Sequence, residues 1–233
     1  MIMGFDPLYM LLFVVTLALT GGASLITHLT FRRYAKVPTF GRITGAEAAL
    51  RMLRMNGVAD VKVERVEGFL SDHYDPAHRV LRLSPDVHDG SSLSSVGVAC
   101  HEAGHALQHA EKYAPLVVRT AMVPAAMAGN NFGYLLIVLG FVLQSLVMVK
   151  IGIGVFALAV LFSIVTLPVE WDASARAKRQ LVQCGIVGPG QETGAGAVLN
   201  AAFLTYLAGA VTALLTLLYY LFRAGLIGGR RDD

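Results

Sequence analysis

The sequence predicts an α-helical integral membrane protein of about four transmembrane helices, with one small α+β region that carries most of the polar residues. Two observations predict it. The 233 residues are 55% hydrophobic and 15% charged, with a mean hydropathy of +0.59, which is too apolar for an ordinary soluble domain. The apolar residues also lie in long uninterrupted runs, without the alternating or striped patterns of soluble strands and helices. The formal charge of +3 comes with no nucleic-acid motif, and the basic residues flank the apolar runs, so the charge reads as membrane orientation and no nucleic-acid partner is expected. Cys100 and Cys184 are too few and too far apart for a disulfide framework.

Residues 8–29 are nearly charge-free and are followed at once by Arg32, Arg33 and Lys36. A cleaved signal peptide carries its positive charge before the apolar core, so residues 1–30 are expected to be a retained anchor whose carboxyl end is cytoplasmic. Residues 37 to about 113 form the one long polar region, the body of a region expected over 31–116. Thr44 can cap a helix there. Residues 61–66 and 80–83 alternate apolar and polar with Asp75-Pro76 between them, which predicts a small antiparallel sheet. A serine-capped helix should start near Leu93 and run through Gln108.

Residues 117–169 are expected to hold a transmembrane hairpin, with apolar runs at 132–149 and 151–169 broken by Lys150. Pro124 and Gly129 leave 114–131 open between one kinked membrane helix and a separate interfacial helix. Pro168 is placed to start a new helix within 170–196, which ends in a glycine-rich loop over 185–196. Residues 197–233 supply a last span, about 198–222, and a tail. Gly209 and Ala213 in that span make a small-xxx-small pair suited to close packing.

The chemistry lies in His101-Glu102-Ala103-Gly104-His105, which fits the HExxH zincin pattern. Two histidines four apart on a helix are offset by about 40° and roughly 6 Å of rise, so both imidazoles reach one ion. Glu102 is placed to take a proton from water activated by that metal. The flanks Val96, Val98, Ala99, Cys100, Ala103, Ala106 and Leu107 make the helix a buried one, where free imidazoles and a carboxylate cost several kcal/mol unless a zinc ion or similar partner satisfies them. A catalytic zinc needs a third ligand. Glu170 is the best candidate, because two spans intervene and return it to the same side of the membrane. His109 continues the spacing but lies roughly 12 Å along the helix from His101 and about 80° around it, so one ion cannot bind all three.

The segments Leu81-Arg82-Leu83-Ser84, His101-Glu102-Ala103-Gly104-His105-Ala106 and Pro168-Val169-Glu170-Trp171-Asp172-Ala173-Ser174 together resemble the YugP-like neutral zinc metallopeptidases of bacteria. The resemblance covers most of the chain. That family is similar in layout to the HtpX proteases and the CAAX prenyl endopeptidases, which are gluzincins with a cytoplasmic-face zinc. The resemblance implies a zincin-like metallopeptidase domain and one zinc ion held by His101, His105 and Glu170, with Glu102 as general base. It also implies protein or peptide substrates, membrane proteins among them, and a multi-pass location in the bacterial inner membrane. Those wider relatives place an aspartate four residues after the glutamate ligand, where it braces a zinc histidine; here Ser174 stands at that position. Asp172 could serve instead only if the first helical turn bends.

The strand at 80–83 could offer an edge to an extended substrate. His73, Tyr74, His78, Arg79, His88 and Tyr113 are all eligible as oxyanion stabilisers, and nothing in the sequence selects one. Cys100 reads as a small buried thiol, and the 185–196 glycines lack the Lys and hydroxyl pair of a phosphate loop. A non-proteolytic zinc sensor, carrier or scaffold would need the histidines but not Glu102. A channel or transporter would need ionisable groups inside the spans, where Lys150 and Gln144 are nearly alone.

Overall fold

The computed structural model describes residues 6–68 and 71–228. Its elements are α1 (Pro7–Tyr34), α2 (Gly45–Met55), β1 (Lys62–Arg65), β2 (His73–Asp75), β3 (Val80–Leu83), α3 (Pro85–His88), α4 (Leu93–Ala110), α5 (Ala114–Ala128), α6 (Tyr134–Val142), α7 (Leu146–Gln183) and α8 (Glu192–Arg223). Among the described residues, four helical stretches are long and apolar enough to cross a bilayer: α1, the path Ala114–Val142, α7 and α8. In α1 the one buried residue is Ala23; Leu11, Leu17 and Leu25 stand open, as lipid-facing side chains do.

The chain divides into two compact units. The first comprises Met1–Ala23, Val118–Leu167 and Tyr206–Asp233, with a core of Ile137, Val149, Ile153, Tyr219 and Tyr220. The stretch left open at 114–131 is a single helical path. α5 passes Pro124 and leads through a five-residue π segment, Gly129–Gly133, into α6. The hairpin turn falls at Leu143 to Ser145 and not at Lys150, which lies inside α7. Gln144 takes a left-handed φ of 53°, Ser145 N–H closes on Gly140 O at 2.8 Å, and Ser145 Oγ accepts from Met148 N–H. A polar pair that caps two helices thus breaks the run, whereas a lone lysine does not. Close packing uses other glycines than Gly209, whose face meets nothing within 4 Å; a Cβ on Gly133 would lie 2.6 Å from Phe156 N, and one on Gly152 would lie 2.7 Å from Ile137 N.

The second unit comprises Ser24–Val117 and Pro168–Thr205. α2 forms where expected. Thr44 Oγ1 accepts from Glu47 N–H at 3.2 Å, and Glu47 Oε2 accepts from Thr44 N–H at 2.8 Å, a reciprocal capping box. Its inner face buries Ala48, Ala49, Met52 and Leu53 against α4. The sheet has the order β1-β3-β2, with β1 parallel to β3 and β2 antiparallel to it. This corrects the expected antiparallel pair. The missed strand β2 makes the tight turn into β3, and β3 then inserts between the other two, so it has no free edge for a substrate. β2 was illegible because it is three residues long and half-exposed, with no apolar alternation.

Ser92 caps α4, its Oγ accepting from Ser95 N–H at 3.1 Å. α4 is the central helix of this unit: Val96, Ala99, Cys100 and Ala103 are fully buried, and each such apolar side chain contributes on the order of 1–3 kcal/mol. α7 runs unbroken through Pro168, so no new helix starts there. α8 begins at Glu192, which takes Gly194 and Gly196 out of the expected loop and into its first turns.

Candidate metal centre

α4 and α7 together position the site. The four-residue spacing sets His101 and His105 on one face of α4, with ring centroids 4.8 Å apart. Glu170 of α7 faces them. Its Oε2 lies 3.1 Å from His101 Nε2 and 3.5 Å from His105 Nε2. The three ligand atoms all lie within 4.8 Å of one another. This approach is possible because Gly104 has no side chain; a Cβ there would lie 2.7 Å from Ala173 O.

The outer ring nitrogens are also engaged. Gln108 Oε1 sits 2.9 Å from His105 Nδ1, while Gln108 Nε2 donates to Val169 O at 2.8 Å and to Asp172 Oδ2 at 2.9 Å. Both of those partners only accept, so the amide orientation follows and Nδ1 must carry the proton donated to Oε1. In the neutral ring this leaves the Nε2 lone pair aimed at Glu170. Ser174 Oγ lies 3.2 Å from His101 Nδ1. Asp172 therefore reaches His105 through Gln108, within a regular helix and without a bent turn. Arg176 holds Asp172 in turn, Nε donating to Oδ2 at 2.6 Å, and its Nη1 donates to Glu111 Oε2 at 2.7 Å.

Glu170 is 1% exposed, and a carboxylate so buried needs a cationic partner. His105 turns a lone pair toward it, so a proton or a metal ion must lie between that nitrogen and the carboxylate. Burial opposes protonation of His105, but the Glu170 hydrogen bond and the nearby Glu102 charge outweigh it and raise its pKa. The donor set, two imidazole nitrogens and one carboxylate oxygen with outer partners on both rings, fits a zinc ion with room for a further ligand.

Glu102 stands apart from this triad. Its Oε2 accepts from the backbone N–H of Tyr74 at 3.0 Å, so β2 holds the carboxylate beside the histidines. Tyr74 Oη lies 2.8 Å from His109 Nδ1, and His109 does not join the triad. Among the other oxyanion candidates, His78, Arg79 and His88 are taken up by Asp75, Asp60 and Asp89. His73 contacts Ser71 O, and the Tyr113 ring lies under the Arg176 guanidinium. Burial pushes the Cys100 thiol well above its usual pKa, as an inert packing residue requires. Sequence reasoning missed Gln108 and the Tyr74 backbone. The sequence carried no signal for either, because the burial of Gln108 and the backbone donor exist only in the fold.

A family model described as "Putative neutral zinc metallopeptidase" matches residues 9–225. The chain is similar to a Bacillus subtilis (strain 168) protein described as "Putative membrane protease YugP", 44% identical over 213 residues that cover 91% of this chain and 95% of that one. No solved structure matches it. With a match along nearly its whole length and a site whose donors suit the metal, the chain belongs to the neutral zinc metallopeptidase family, and its cofactor is zinc.

Proposed function

We propose that the protein is a membrane metalloendopeptidase of the HExxH gluzincin type, in which His101, His105 and Glu170 hold one zinc ion and Glu102 is the general base. The observation that carries this reading is the convergence of both Nε2 atoms on one buried Glu170 oxygen, with Glu102 beside them but bonded elsewhere. Zinc held there supplies a Lewis acid for the scissile carbonyl and acidifies water. Glu102 accepts the proton of the attacking water; the Tyr74 N–H fixes Oε2, which orients the carboxylate for that transfer. The same carboxyl then protonates the departing amide nitrogen as the C–N bond breaks, so water and peptide become acid and amine with no covalent enzyme intermediate. Gln108 keeps the proton of His105 on Nδ1, and Ser174 orients His101.

The substrates are proteins or peptides, and the bilayer is the working environment. A relative described as a membrane protease and the Arg32, Arg33 and Lys36 flank support a multi-pass location in the bacterial plasma membrane with the site on the cytoplasmic side. The test is a chelator-sensitive cleavage assay on an unfolded casein-like substrate, with metal analysis of the same preparations. Glu102→Gln is expected to keep zinc and lose about 10²–10⁴-fold in rate, while His105→Ala loses both. Undiminished cleavage by Glu102→Gln would remove the general-base role.

A further inference from the structure

We infer that this site cuts peptide bonds held at the membrane–water boundary, so that its substrates are the juxtamembrane segments of membrane-inserted polypeptides. The inference rests on the reading above and names the substrate class for it.

The depth of the site follows from bonds within the second unit. The charge-free run of α1 ends in Arg32 and Arg33, a flank that sits among headgroups. α4 is tied to α1 beside this flank, where Ser94 Oγ donates to Phe31 O at 2.8 Å. α8 runs down α1 from there. A Cβ on Gly194 would meet the Tyr34 ring at 2.7 Å, and seven residues on, Thr27 Oγ1 donates to Ala201 O at 2.7 Å. Thr27 precedes Arg32 by five residues, so this second tie lies about 8 Å further toward the hydrocarbon. Phe203, two residues beyond Ala201, packs against Trp171 with ring centroids 5.2 Å apart. Trp171 is the residue after Glu170. Glu170 therefore lies within side-chain reach of the level of Thr27, near the belt of charge that ends the first span.

Trp171 itself marks such a boundary. It is 57% exposed, with the Lys178 ammonium 5.7 Å from its ring centroid. An outward indole with a cation above it suits the headgroup layer, where one end of the ring is apolar and the other wet. A loop of a water-soluble protein would have to enter that layer and give up backbone hydration to reach Glu102. A segment emerging from a transmembrane helix is already there, and its tether supplies the high effective concentration that a free peptide lacks.

Two measurements on the zinc-loaded full-length protein in liposomes test this. The chain has one tryptophan, so intrinsic fluorescence reports on Trp171 alone. Lipids brominated near the headgroup end of the acyl chain should quench it more strongly than aqueous iodide does. Quenching by iodide with none by brominated lipid would overturn the assignment whatever the enzymology shows. In the second measurement one unstructured linker sequence is presented in three ways: directly after the span of a single-span reporter, beyond a helical EAAAK spacer of about 30 Å, and as a free peptide. The membrane-proximal linker should be cleaved at least about tenfold faster than the other two. Equal cleavage of all three would overturn the boundary assignment and leave the peptidase standing. Cleavage of none, with zinc bound, would remove the peptidase reading and this inference with it.

Discussion

Gln108 is the residue on which the asymmetry of the site turns. It is fully buried, and its amide is read in one orientation by Val169 O and Asp172, so His105 has a single tautomer available for ligation. Ser174, which can donate or accept, imposes no such choice on His101. Gln108→Leu is therefore expected to weaken zinc binding about 10–100-fold, measured by chelator competition, with helix content by circular dichroism unchanged. An unaltered zinc affinity would reduce Gln108 to a filler. The clustering of His101, His105 and Glu170 was legible in the sequence because helix periodicity and the crossing count allow few partners for a pair of histidines four apart. Gln108 was not. A buried amide obeys no spacing rule, and its role exists only once α7 brings Val169 and Asp172 alongside. Nor was the bond that holds Glu102, whose partner is a backbone N–H on a strand that sequence reasoning did not foresee.

Among the elements, the contact between α4 and α7 is the one the chemistry cannot lose, and Gly104 is where it is tightest. A methyl group there would lie 2.7 Å from Ala173 O and 3.2 Å from Ala173 Cα, against backbone that cannot swing aside. Gly104→Ala should push α7 away, costing about 1–3 kcal/mol of stability by overpacking and separating Glu170 from the histidines. Its expected signature is loss of zinc and of cleavage together, with a lowered thermal midpoint; full zinc content in the alanine variant would show that the helices have slack. The elements were legible unevenly. α2 and α4 carry capping residues followed by apolar faces, which local chemistry specifies. The parallel pairing of β1 with β3 depends on where β2 turns back, and the 143–145 turn depends on a cap flanked by apolar residues on both sides. The first leaves no trace in hydropathy, and the second leaves a polar interruption no deeper than that at Lys150.

For the molecule as a whole, the open question in the sequence was the side on which the chain ends. The four spanning helical stretches have 28, 29, 38 and 32 residues, so the shortest reaches about 42 Å, more than a hydrocarbon core needs. Four crossings put the start of α1 and the end of α8 on one side. Positive-inside counting then conflicts with itself, because Arg223 shares that side with the start of α1; Arg230 and Arg231 of the expected tail lie outside the described residues. Within the first unit Arg223 has an acidic partner. Its Nε lies 3.4 Å from Asp6 Oδ2, and the same carboxylate accepts from Tyr219 Oη at 2.8 Å. The first span usually dominates orientation, so the Arg32, Arg33 and Lys36 flank sets it. Single cysteines at Lys36 and at Leu226, in a background with Cys100 and Cys184 replaced by alanine, should react with a membrane-impermeant maleimide from opposite faces. Lys36→Cys should react only after the membrane is opened, and Leu226→Cys in intact cells. Labelling of both from the same face would mean an odd number of crossings, and the route that returns Glu170 to His101 would then have to be redrawn.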